Sequence, residues 1–115
     1  MTVLLVEDNP DVQEAFSLGL QMNGFNVVSV DRGKKAIEMV SDLQPDVMIM
    51  DYHLPDSNGI ELALSLEGPE KPKLVLLTGV DEPELHQKAI QAGFDAFFKK
   101  PVKIKDLAQW IQTNG

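Results

Sequence analysis

The sequence predicts an α/β fold of three layers, with helices on both faces of a five-stranded parallel sheet. Two observations carry this. Short, wholly apolar runs begin at Val3, Val27, Val47, Leu74 and Ala96, and runs without polar alternation suit strands covered on both faces. Each run is followed by a stretch with apolar residues at helical spacing, giving β-α five times in succession. Right-handed crossovers then place helices on both sides of the sheet.

The first strand, Val3-Leu4-Leu5-Val6, ends at Glu7-Asp8, and Asn9-Pro10 reads as an N-cap with proline at the first helical position. The helix carries Val12, Ala15, Phe16, Gly19 and Leu20, and Asn23-Gly24 closes it. After the strand at Val27, a second helix has the stripe Ala36, Ile37, Val40 and Leu43. The third strand, Val47-Met48-Ile49-Met50, ends at Asp51. Its helix carries Ile60, Ala63 and Leu64 and stops at the breaker Gly68-Pro69. Leu74-Val75-Leu76-Leu77 ends at Thr78 and precedes a helix with Leu85, Ala89 and Ile90, closed by Gly93. The fifth strand, Ala96-Phe97-Phe98, leads to Lys100-Pro101 and a last helix with Ile104, Leu107, Ala108 and Ile111.

A chain of 115 residues with 43% hydrophobic content supports one packed domain, expected to span residues 1–115 without an output domain. There is no cysteine, which excludes disulfides and thiolate metal sites. No signal-peptide pattern or membrane-length apolar run is present, so a cytoplasmic protein without membrane contact is expected. A net charge of −8 with scattered lysines argues against direct nucleic-acid binding. The group Lys99, Lys100, Lys103 and Lys105 is the exception, and Lys103 and Lys105 read as a solvated helix entrance.

Functional groups of such sheets collect beyond the carboxyl ends of the strands. Parallel strands therefore bring Glu7, Asp8, Asp51, Thr78 and Lys100 to one edge. Like charges held together are unfavourable unless a cation joins them, which asks for a divalent metal. Three carboxylates and one ammonium leave two net negative charges, which one Mg²⁺ cancels.

These residues, each after its own strand, resemble the receiver domain of two-component response regulators along essentially the whole chain. Pro55 and Gly59, four and eight residues past Asp51, and Phe97, three before Lys100, agree with it. The resemblance implies a flavodoxin-like, doubly wound sheet in the order 2-1-3-4-5. It implies that Asp51 accepts a phosphoryl group from a phosphohistidine of a histidine kinase or histidine phosphotransfer protein. It implies Mg²⁺ (or Mn²⁺) on Asp8, Asp51 and the His53 backbone carbonyl, with Glu7 helping through water. Lys100 would hold the phosphoryl oxygens, whose charge is about −1.5 to −2. Thr78 and Phe97 correspond to the switch hydroxyl and switch aromatic, and the Lys100–Pro101 peptide is expected to be cis. The downstream target is not named by the sequence. Association, if any, is expected to be a weak dimer through the fourth helix, fifth strand and fifth helix.

The departures are Glu7, where Asp is also common, and Phe97, which lacks a tyrosine hydroxyl. His53 and Val80 stand where the family tunes dephosphorylation. Read one at a time, Asp51 and Thr78 are ordinary strand termini and Phe97 is plain core. Met48 and Met50 read as core, His86 as a solvated residue beside Glu82 and Glu84, Trp110 as partly buried, and Asp31 and Asp56 as turn residues. Two other functions compete with the switch. An aspartyl-phosphate phosphatase of the haloacid dehalogenase type wants a second Asp two residues after the nucleophile, where His53 stands. A receiver-like interaction module that takes no phosphate is disfavoured because every chemical position is filled. A glycine-rich nucleotide loop is absent after the first strand. An enzyme is not expected beyond self-phosphorylation from small phosphodonors and its reversal.

Overall fold

The computed structural model describes residues 1–66, 71–79 and 83–115. Gly68-Pro69, Val80 and Glu82 lie outside the described residues. Five strands, β1 (Thr2–Val6), β2 (Asn26–Val30), β3 (Val47–Asp51), β4 (Lys73–Thr78) and β5 (Ala96–Lys99), alternate with five helices. These are α1 (Pro10–Met22), α2 (Gly33–Leu43), α3 (Gly59–Leu64), α4 (Pro83–Gln91) and α5 (Ile104–Asn114). All pairings are parallel, in the order β2-β1-β3-β4-β5.

Two hydrophobic clusters lie on the two faces of the sheet. Leu4, Val6, Met48, Met50, Leu74 and Leu76 belong to one, with Ala36, Leu62, Ala63 and Ala89 from α2, α3 and α4. Val3, Leu5, Val47, Ile49, Val75 and Leu77 belong to the other, with Leu20, Leu107, Ala108 and Ile111 from α1 and α5. Alternate side chains of the same strand thus feed opposite clusters, as the pleat requires.

Burial on both faces holds for β3 throughout and nearly so for β1 and β4, but not for β2 and β5. The last two are the edge strands, each with one flank open. Several helical stripes are rotated from the expected ones. In α3 the inward residues are Gly59, Leu62, Ala63 and, just past the helix, Leu66, while Leu64 is exposed. The Asn58 side chain accepts from Glu61 N and so sets where the helix starts, which fixes the phase of that face. In α4, Leu85 and Ala89 face inward and Ile90 is turned outward, and Ile37 of α2 and Ala15 of α1 are likewise exposed. The expected cap of α1 is formed: Asn9 Oδ1 accepts from Asp11 N and Val12 N at 3.0 and 3.2 Å.

One device recurs at the amino edge of the sheet. Asp46, just before β3, accepts from Thr2 N at 2.8 Å, and Asp95, just before β5, accepts from Leu74 N at 2.8 Å. Each carboxylate takes the N–H of a neighbouring strand while its own backbone N–H continues the ladder to Thr2 O or Leu74 O. Asp95→Ala should cost about 1 kcal/mol, and Asp46→Ala less because its bond is exposed. Urea unfolding checks this: lower midpoints with unchanged m are expected, and an unmoved midpoint for Asp95→Ala refutes it.

Candidate functional site

At the carboxyl edge, the ladder continues past the strands and places the chemistry. Glu7 N donates to Val30 O at 3.0 Å, so the residue after β1 is still held by β2. Tyr52 N donates to Leu77 O at 2.8 Å, which fixes Asp51 from its far side. Lys100 N donates to Thr78 O at 2.8 Å. Main-chain bonds therefore aim three of the site's side chains without using them.

Glu7, Asp8 and Asp51 each offer a carboxylate oxygen, all within 4.8 Å of one another. Glu7 and Asp51 are buried, at 1% and 6% exposure, whereas Asp8 is open to solvent. Lys100 Nζ lies 2.7 Å from Asp51 Oδ2 and 3.7 Å from Glu7 Oε2. Glu7 Oε1 accepts from Asn9 N at 3.2 Å. Its Oε2 is buried without a hydrogen-bond partner.

Burial, with the charge of Asp51 beside it, pushes the Glu7 carboxyl up to about 7. Burial lowers the Lys100 ammonium, but the hydrogen bond and charge of Asp51, with Glu7 and Asp8, outweigh it and leave the pKa raised. Without a cation, burial and the charge of Asp51 thus favour the neutral form of Glu7, which a count of formal charges alone does not show. An orphaned buried carboxylate oxygen beside two further carboxylates fits a hard, oxygen-preferring dication.

Thr78 is buried at the end of β4, and Phe97 is half-buried two residues back on the neighbouring strand, opposite Leu76. His86, expected on a solvated face, is instead half-buried, with its ring 4.0 Å from that of Phe97 at 50°. Its position follows Leu85 on the inward flank of α4, which the rotated stripe explains. Trp110 is half-buried against the α1–α5 side of the core. The His53 side chain is exposed and meets the Tyr52 ring edge-on at 4.8 Å, while its backbone bridges to Asn58. The Lys100–Pro101 peptide is cis. Gly59 is buried where a Cβ would lie 3.0 Å from Asp51 O.

The residue that sequence reasoning missed is Asp56. Its two carboxylate oxygens accept from Gly33 N and Lys34 N at 2.9 Å each. These bonds, Lys34's first, hold its carboxyl below the usual range. No sequence signal marks this, because the partners lie more than 20 residues away and meet only once α2 is docked.

The chain matches the response regulator receiver domain model over residues 3–112 and belongs to that family. It is 37% identical over 106 residues to a cyclic di-GMP phosphodiesterase of Thermotoga maritima, covering 91% of this chain and 28% of that protein. It is 35% identical over 109 residues to the probable transcriptional regulatory protein TcrX of Mycobacterium tuberculosis, covering 93% of this chain and 46% of that one. The chain therefore spans about half or less of the length of these curated relatives. Among solved structures, the BeF3-activated N-terminal receiver domain of Klebsiella pneumoniae RstA is 26% identical, with a TM-score of 0.90 over 98% of this chain and 97% of that one. The Francisella response regulator 1452 receiver domain, 22% identical with a TM-score of 0.91, covers 97% of this chain and 93% of that chain and shares the fold. No helix among the described residues is long and apolar enough to cross a membrane.

Proposed function

We propose that the chain is a phosphoacceptor switch, with Asp51 taking a phosphoryl group from a phosphohistidine of a kinase or phosphotransfer protein. The observation that carries this reading is the pairing of a buried Asp51 with Lys100 Nζ at 2.7 Å inside a three-carboxylate cluster. An Asp51 carboxylate oxygen forms the new P–O bond as the P–N bond of the phosphohistidine breaks and the imidazole leaves. Lys100, already beside that carboxylate, turns to the phosphoryl oxygens as negative charge arrives. Asp8, Asp51 and the His53 carbonyl would hold Mg²⁺, with Glu7 assisting through water. When bound, that ion would neutralise charge on the phosphoryl oxygens.

Thr78 is assigned to hydrogen-bond the phosphoryl group, and Phe97 to follow it inward. A local charge event would thereby bias the surface of α4, β5 and α5, where a target or a second copy binds. Because His86 lies against Phe97, it must move with that ring. The names of the relatives describe longer proteins, and neither phosphodiesterase activity nor DNA binding is assigned to this chain.

Incubation with acetyl phosphate and Mg²⁺, read by intact mass, tests the reading. A gain of one phosphoryl group is expected in the wild type, none without divalent metal, and none in Asp51→Asn. An unmodified wild type, under conditions that modify another receiver, favours the phosphate-independent interaction module. Sustained phosphomonoester turnover favours the phosphatase.

A further inference from the structure

The segment between Asp51 and α3 carries His53, so whatever fixes residues 52–58 fixes that carbonyl. Its two ends are well tied. Tyr52 N reaches Leu77 O at 2.8 Å and Gly59 N reaches Tyr52 O at 2.9 Å, while Leu54 N reaches Ser57 O at 3.1 Å across the base of the tip. The tip is different. Pro55 and Asp56 are exposed. A cavity of about 460 Å³ opens between the tip, α2 and α3, lined in part by Gly33, Ile37, Ser57 and Leu62. Side-chain packing therefore gives the tip little support on this side.

What holds it is Asp56, through its 2.9 Å bonds from Gly33 N and Lys34 N. Those two N–H groups belong to the first turn of α2, where the helix itself supplies no acceptor, and the N-cap residue Arg32 offers no side-chain bond to them. The positive end of the helix also favours the carboxylate. Gly33 has no side chain for a reason: a Cβ there would lie 2.7 Å from Ser57 Oγ and push the tip away.

We infer that Asp56 is a positioning residue for the metal site: by capping α2 from the β3–α3 loop, it fixes the loop that presents the His53 carbonyl. This rests on the metal assignment made above. Energetic coupling between two sites is reciprocal. A divalent ion at the acid cluster must then tighten the cap of α2, and loss of the cap must weaken the ion.

The test is calorimetric titration of MgCl2 into wild type, Asp56→Ala, Asp56→Asn and Asp8→Asn, with circular dichroism confirming each fold. NMR amide exchange at Gly33 and Lys34 of the wild type, with and without Mg²⁺, runs alongside. Asp56→Ala should weaken Mg²⁺ binding about tenfold, the loss typical of groups that orient metal ligands. Asp56→Asn, which keeps one side-chain acceptor, should lose less. Mg²⁺ should slow exchange at both amides, which a cap with only a structural role would not show. If wild type binds, Asp8→Asn does not, and Asp56→Ala binds like wild type, the inference is wrong while the metal assignment stands. Unchanged exchange at Gly33 and Lys34 under saturating Mg²⁺ overturns it equally, even where Asp56→Ala fails to fold. If wild type itself takes no Mg²⁺, the metal assignment fails and the inference falls with it.

Discussion

Glu7→Gln should raise the stability of the metal-free protein at pH 8 by up to about 3 kcal/mol, the size of the difference between its folded and ordinary pKa. The buried Glu7 carboxyl has its pKa pushed up to about 7 in the folded chain, against 4.5 ordinarily. A group raised on folding binds its proton more tightly in the folded state. Its favourable contribution is therefore complete below about 4.5, declines as pH rises, and is gone above about 7. Gln is neutral throughout and escapes that decline. The difference between variant and wild type should thus grow from pH 5 to pH 8. Added Mg²⁺ should narrow it, because the ion stabilises the ionised carboxylate of the wild type. Thermal unfolding at the two pH values, with and without MgCl2, measures both trends. A variant less stable than wild type at pH 8 without metal would show that the Glu7 carboxylate is not under strain.

The second large effect is at Gly59. Alanine is the better helix former by about 1 kcal/mol, so propensity alone predicts a gain at the first position of α3. Geometry predicts the reverse. An added Cβ would lie 2.8 Å from Leu76 Cδ1 and 3.0 Å from the Asp51 carbonyl oxygen. The leucine can shift, but the carbonyl belongs to the end of β3 and is held by the ladder. Gly59→Ala should lose about 1–3 kcal/mol, and Gly59→Val more. Phosphoryl uptake should fall as well, since relief of the contact displaces Asp51. Denaturant midpoints and the acetyl phosphate assay read the two losses. Unaltered stability in Gly59→Val would mean that the loop relaxes away from β3 without cost.

The fold was legible because strand and helix differ in period, and because each central strand is too apolar to belong anywhere but a covered sheet. The acid cluster was legible for a related reason. Glu7, Asp8 and Lys100 follow strands and Asp51 ends one, so parallel topology alone gathers them. Legibility failed where phase or partnership is set across the fold. The inward faces of α3 and α4 depend on where each helix begins, and a start shifted by one residue rotates the face by 100°. His86 was misplaced for that reason. Asp56 reads only as a turn residue, since its bonds exist only between a loop and the start of α2, brought together by the sheet. The upward push on the Glu7 carboxyl was equally hidden, because composition records charge but not depth.

The way the carboxyl edge is tied has a consequence for how such a chain changes over generations. Glu7 and Lys100 are aimed by main-chain bonds to Val30 and Thr78, bonds that any residue but proline can make. Those bonds hold whatever the side chains above them, although the side chains add their own energies through the burial of Glu7 and the Lys100–Asp51 ion pair. Acids, hydroxyls or the ammonium can therefore be exchanged there, changing the chemistry of the edge, without first rebuilding the main-chain ladder beneath it. The scaffold and the chemistry it displays are free to diverge at different speeds.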